Sequence, residues 1–227
     1  MSNNSSTTSK VWIAPASDET AIAPKGYRGV TKRVLDLVLA ALLLPTLIPV
    51  IAVLYVLVRL DGGPGFFGHK RVGRNNQEFR CWKVRTMVVD AQERLDALLA
   101  SSPEARAEWE RDQKLRNDPR VTRLGNFLRK TSLDELPQIW NVIKGEMSLV
   151  GPRPVTRSEM SRYGGYAWAY QALRPGITGL WQVSGRNDVS YDERVELDVR
   201  YLNEMSLASD ISILMRTGKV ILDKTGC

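Results

Sequence analysis

The chain has 227 residues, 43% hydrophobic and 25% charged, which is enough apolar material for a domain core and argues against a fibrous or disordered class. Its net charge of +7 suggests a polyanionic partner: nucleic acid, anionic lipid or a phosphorylated substrate. Cys81 and the terminal Cys227 do not make a disulfide framework, and one histidine, His69, argues against a His-rich zinc site.

Residues 1–30 read as a tail. The first nine are rich in Asn, Ser and Thr, and Pro15 and Pro24 interrupt the remainder of the segment. Such a composition cannot bury enough apolar surface to offset chain entropy. It is not a secretory signal, because no basic segment precedes an apolar one with a small-residue cleavage site.

Residues 31–60 carry the apolar run Val34–Val58, whose one charge is Asp36. At ~1.5 Å per residue it is long enough to cross a hydrocarbon core of ~30 Å. Hydropathy by itself favours one spanning helix. Two features favour a re-entrant helix instead, one that bends and returns to the same face. Basic residues flank both ends: Lys25, Arg28, Lys32 and Arg33 before, then Arg59, Lys70, Arg71 and Arg74 after. Pro45 and Pro49 also sit mid-segment, and each removes a backbone donor. From hydropathy, flanking charge and proline positions the two topologies stay level, with a buried core helix as a third.

Residues 61–227 form the remaining domain. Asp61–Gly65 is a turn without the Lys-Ser/Thr of a phosphate loop. Glu78–Met87 reads as a strand bearing Arg80, Lys83 and Arg85. Asp90–Arg116 reads as two helices broken at Pro103, with Leu95, Leu98, Leu99, Trp109 and Leu115 as core contacts. Glu159–Leu173 reads as an amphipathic helix whose tyrosines and Trp168 suit a membrane interface or a core equally. Arg174–Asn187 is a glycine-dense loop carrying Trp181 and Arg186. Tyr191–Asn203 and Leu207–Leu222 are helices, the first a mostly solvated face. The expected fold is therefore α-dominated α+β: a membrane helix plus interfacial amphipathic helices around a small β element.

The chemistry concentrates in Thr131–Pro154, TSLDELPQIWNVIKGEMSLVGPRP. Asp134 and Glu135 stand at a helix start, and Arg153 is held between prolines. The pair has a structural explanation, with Asp134 as N-cap or Ser132 and Glu135 as a capping box. It also has a chemical one. A carboxylate at a helix N-terminus among arginines is expected to keep a low pKa, making it a nucleophile or magnesium ligand rather than an acid. Arg153, stiffened by its prolines, suits a bidentate grip on phosphate.

LDELPQIWNVIKGEMSLVGPRP, with KVRTM upstream and RPGITGLWQVSGRN downstream, resembles the bacterial sugar transferase family, the monotopic polyprenyl-phosphate phosphoglycosyl transferases. The resemblance runs from about Lys32 to the C-terminus. DGGPGFFGHKRVG and GRNDVSYDERV are most similar to the compact members that initiate exopolysaccharide synthesis, without the four extra spanning helices of the long members. The resemblance implies transfer of galactose- or glucose-1-phosphate from a UDP-sugar to undecaprenyl phosphate through a phosphosugar-aspartate. It implies Asp134 as nucleophile, Glu135 as metal or proton partner, and Mg²⁺ held by both. Phosphate contacts are implied at Arg153, Lys83 and Arg85, and more weakly at Arg174, Trp181 and Arg186. It also implies the re-entrant topology, with the kink at Pro49, assisted by Pro45. Inner-membrane lipids on the cytoplasmic face are expected partners, nucleic acid is not, and a homodimer stays open. A membrane-anchored basic scaffold and a metal-dependent phosphohydrolase are the alternatives. The scaffold leaves the pairing of Asp134-Glu135 with Arg153 unexplained, and the hydrolase needs water where lipid would enter.

Overall fold

The computed structural model describes residues 26–112, 115–185 and 189–222. Helix α1 spans Val30–Arg59 without interruption, with Pro45 and Pro49 inside it. One stripe of α1 packs inward at Lys32, Asp36, Ala40, Leu54 and Val58, while Leu42, Ile48, Val53 and Val56 are exposed. Both ends of the helix therefore rest on the same body. At its start, Lys32 pairs with Asp210 at 2.7 Å and Asp36 at 3.4 Å, and Arg33 donates to the carbonyls of Val142 and Ile143. Asp36 in turn accepts from the Ser148 hydroxyl and the Leu149 amide. These buried charges are paired and hydrogen-bonded, which is the condition for tolerating them in a core. Near its end, Leu54 and Val58 pack with Val84 and Leu128.

The chain is tied down before α1 begins. The Tyr27 hydroxyl, within the stretch expected as a tail, donates to Asp210 at 2.6 Å. Residues 1–25 lie outside the described residues.

A hairpin comes next, β1 (Phe66–Val72) and β2 (Glu78–Val84), antiparallel with Phe67 opposite Lys83 and Val72 opposite Glu78. Its turn places Asn75 and Asn76 at positive φ, a region asparagine tolerates better than most residues. Helices α2 (Ala91–Ser101) and α3 (Pro103–Asp112) break at Pro103 as expected. Of their expected core contacts Leu95 is buried. Then come α4 (Arg123–Lys130), capped by Thr122, and α5 (Gln138–Lys144), closed by Gly145 in the left-handed region.

A second, parallel pair joins β3 (Ser148–Val150) to β4 (Gly176–Thr178). The backbones meet so closely at Gly151 and Gly176 that a Cβ at Gly151 would lie 2.3 Å from the Arg174 carbonyl. The stretch expected as one helix from Glu159 is instead α6 (Arg157–Met160), a 3-10 segment, and α7 (Ala167–Gln171). Gly164, at φ 51 and ψ −129, breaks it with a conformation that only glycine adopts readily. Its tyrosines Tyr163 and Tyr170 are core residues rather than interfacial ones. Helices α8 (Tyr191–Glu204) and α9 (Leu207–Leu222) complete the fold. Far from being merely solvated, α8 buries Val195, Val199, Tyr201 and Leu202. Among the described residues the fold is helix-dominated with two small sheets, matching the expected helix dominance and small β content.

Candidate functional site

The acidic pair sits in a 3-10 turn, Leu133–Glu135, that enters α5. Ser132 before it takes the left-handed conformation and Pro137 occupies the helix N-cap; neither makes a side-chain cap. The capping box expected of Ser132 and Glu135 does not form, nor does Asp134 cap the helix. The strained Ser132 and the proline force a tight turn, which leaves both carboxylates free to face the hairpin.

There they meet Lys83. Its ammonium lies 2.6 Å from Glu135 Oε1 and 3.6 Å from Asp134 Oδ2. Arg153 approaches Glu135 Oε1 at 3.9 Å with its guanidinium nearly half exposed. Sequence separation is erased by specific ties. Asn141 of α5, wholly buried, donates to the Arg80 carbonyl and accepts from the Trp82 amide, gripping β2 beside Lys83. The Val72 amide donates to the Val155 carbonyl, and Tyr170 clamps the same junction by donating to the Val72 carbonyl at 2.7 Å. Gly176 donates its amide to the Pro152 carbonyl. Arg153 is thus fixed between two backbone attachments.

The two acids differ electrostatically. Burial pushes the Asp134 carboxyl above its ordinary value, reinforced by Glu135, while Lys83 and Arg129 oppose. This corrects the expectation of a low pKa there: the arginines near it in sequence do not compensate for lost water. Burial acts on Glu135 too, but Lys83 and Arg153 outweigh it and hold that carboxyl low. One acid is therefore a firmly paired anion, and its neighbour is a poorly solvated one.

The match to the family described as bacterial sugar transferase covers residues 27–224. The chain belongs to the bacterial sugar transferase family. It is 54% identical over 195 residues to the UDP-galactose-lipid carrier transferase of Erwinia amylovora, covering 86% of this chain and 41% of that protein. It is 53% identical over 195 residues to the undecaprenyl-phosphate galactose phosphotransferase of Salmonella typhimurium, with 86% and 41% covered. It is 48% identical over 198 residues to the exopolysaccharide production protein ExoY of Rhizobium meliloti, with 87% of each covered. The chain spans less than half the length of the first two relatives.

Within this family member the other expected contacts fall in different places. Arg85 does not join the acid pair. Its guanidinium donates to the carbonyls of Val58, Pro64 and Met87 and forks onto Asp61, so all five donors are occupied in tying the end of α1 to the hairpin. Arg85→Ala is expected to cost about 3 kcal/mol, since the lost bonds leave buried carbonyls without a donor. That corresponds to a melting point lower by about 10 °C, with activity per folded molecule unchanged. A normal melting curve with lost activity would contradict this structural role. Arg174 donates Nε to the Gly145 carbonyl, at the opposite end of α5 from the pair. Trp181 is buried, with Arg194 stacked 4.6 Å from its ring centre. Arg186 lies outside the described residues.

Arg71, read in the sequence only as a flanking charge within DGGPGFFGHKRVG, and Arg129, which no motif marks, reach Glu135 and Asp134 respectively with their charges. Arg71 also pairs with Glu159 at 2.9 Å. Strand alternation places Arg71 on the hairpin face of Lys83, a signal that needs β1 recognised as a strand.

As hard oxygen donors, Asp134 and Glu135 fit a magnesium ion in kind, since Mg²⁺ takes one or two carboxylates and completes its shell with water and phosphate oxygens. Among the described residues no group of three His, Cys, Asp or Glu side chains forms a protein-only site.

Proposed function

We propose that this chain transfers a sugar-1-phosphate, of galactose or glucose, from a UDP-sugar to undecaprenyl phosphate at the cytoplasmic face of the inner membrane. The observation that carries it is the asymmetric pair, Asp134 desolvated and Glu135 salt-bridged, facing Lys83 and a half-exposed Arg153. An ionised carboxylate short of solvent and without a hydrogen-bonded counter-ion is a reactive nucleophile. Asp134 attacks the sugar-linked phosphorus, forming an acyl phosphate while the bond to UMP breaks. An oxygen of undecaprenyl phosphate then attacks that phosphorus and the carboxylate leaves. Neither step needs a net proton. Lys83 and Arg153 stabilise charge on the phosphoryl oxygens, and Glu135 keeps Lys83 oriented. Mg²⁺ bound at the pair would neutralise charge on the diphosphate.

The surroundings favour lipid over water as the second reactant. Phe67 stands opposite Lys83 on the hairpin and is 54% exposed, while Phe127 and Trp140, on the helices flanking the acid turn, are 55% and 56% exposed. Apolar side chains in such number suit an interfacial surface. Both ends of α1 touch the same body, which supports the re-entrant topology over a spanning one.

The test is UMP release from UDP-galactose and UDP-glucose by the purified chain with Mg²⁺, with and without undecaprenyl phosphate. Lipid-dependent UMP with a lipid-linked sugar product is the expected result; UMP release indifferent to lipid would mean a hydrolase, and no release would remove the proposal. For topology, a cysteine placed at Ser5 is expected to resist a membrane-impermeant thiol reagent in intact spheroplasts. Labelling there would place the tail outside and exclude the re-entrant arrangement.

A further inference from the structure

A second concentration of cations lies away from the acid pair. Arg28, Lys32, Arg74 and Arg174 line one cavity, with Asp36 as its acid, between the start of α1, the hairpin turn and the end of α8. Lys32 is committed to Asp36 and Asp210. The guanidiniums are less committed. Among the described residues Arg28 gives one hydrogen bond, to the Asn203 carbonyl. Arg174 gives only Nε, and its two terminal nitrogens find no acceptor among the described residues. Arg74 Nε is shielded from solvent and has no partner among the described residues. A shielded guanidinium donor without an acceptor costs free energy, so such a cluster is arranged for something that brings oxygens.

The cations also disfavour one another. Burial first, then the charges of Arg74 and Arg33, hold the Arg174 pKa below its ordinary value, with Asp36 opposing. A bound anion would remove this repulsion and satisfy the free donors. The cavity lining also includes Leu173 and Met205, and the adjoining turns of α1 expose Val30, Val34 and Val38. Cationic lining and apolar neighbours together suit an ester of phosphate better than a simple halide.

The location separates this site from the reacting one. Lys83 lies near the end of β2 and Arg74 beyond its start; the five steps from Lys83 to Glu78 alone span about 16 Å of strand. Arg174 likewise caps the C-terminal end of α5, whereas the acids precede its N-terminal end.

We propose that this cavity is a second phosphate-binding site, which holds a phosphate ester other than the one that reacts at Asp134. The chemistry is shared by an anionic phospholipid headgroup and by soluble phosphate or diphosphate. Two experimental arms separate these sources. The full chain in neutral detergent is melted with inorganic phosphate or diphosphate against chloride at equal ionic strength. It is also melted in bilayer discs of phosphatidylcholine with or without phosphatidylglycerol. Ligand at ten times its dissociation constant should raise the melting point by about 4 °C. The rise should vanish in Arg74→Gln and persist in Arg153→Gln, which alters the reacting site instead. A rise with soluble phosphate identifies the soluble source, and a rise confined to phosphatidylglycerol identifies the headgroup. No rise in either arm, or a rise that Arg74→Gln leaves intact, overturns the proposal.

Discussion

Asp134→Asn is expected to abolish lipid-dependent UMP release, a loss on the order of 10⁴-fold or more if the carboxylate is the nucleophile, and yet to melt higher than the parent at neutral pH. The two effects share one cause. Burial raises the Asp134 carboxyl above its unfolded value, so the folded state prefers the protonated form. Ionisation of Asp134 therefore opposes folding. That penalty is absent below the unfolded pKa of about 3.9, grows as pH rises toward the folded value, and is complete above it. Asparagine never carries the charge, so the variant's advantage should be present near pH 7 and should fade as pH falls into the carboxylate range. A helix cap behaves otherwise. Asparagine caps about as well as aspartate but lacks the charge that a helix N-terminus favours, so a capping role predicts a variant that melts no higher than the parent at neutral pH and loses no turnover. Melting curves across pH, run beside the transfer assay, distinguish the roles; residual activity in Asp134→Asn comparable to the parent's would remove the nucleophile assignment.

The parts of this molecule that were legible in the sequence are those governed by local rules. Pro103 ends one helix and begins the next because proline tolerates a first turn and not an interior. Leu207–Leu222 came out with the bounds its periodicity suggested. Lys83, Glu135 and Arg153 were legible by motif, and the structure brings them together. The hidden parts depend on contacts between distant segments. Arg85 is two residues from Lys83 and as basic, but a carboxylate at Asp61 and three carbonyls claim it for structure. Asn141 has no local signature in the sequence; its role exists only because an edge of β2 arrives at its amide. The parallel pairing of β3 with β4 is three residues long on each side, too short for a periodic signal. The glycines that permit it read as a loop until the two backbones are seen in contact.

Replacing Lys83 should test how the pair works as a unit. In Lys83→Met, kcat/KM near pH 7 is expected to fall on the order of 100-fold, equivalent to about 2.7 kcal/mol, and the acid limb of the rate profile should move to higher pH. Among the charges acting on both acids, Lys83 has the largest opposing effect to burial. Without it the two carboxyls, adjacent in sequence and both shielded, each become harder to ionise, and a protonated Asp134 cannot attack phosphorus. Activity should then recover partly as pH rises. The stability effect has the opposite pH dependence to that of Asp134. Glu135 is held low in the folded state, so its stabilising contribution is present above the unfolded value and lost as pH falls through the folded one. Lys83→Met forfeits that contribution at neutral pH and should melt lower there, with the deficit shrinking in acid. Lys83→Arg keeps the charge, so its pH limb should stay near the parent's while the rate drops, because a planar fork does not reproduce a point contact at 2.6 Å. If Lys83 merely gripped substrate phosphate, Lys83→Met would lower kcat/KM at every pH alike and leave the limb in place. A shifted limb would mean instead that the hairpin lysine sets the charge state of the acid turn, making an otherwise unfavourable pair of shielded carboxylates competent for attack.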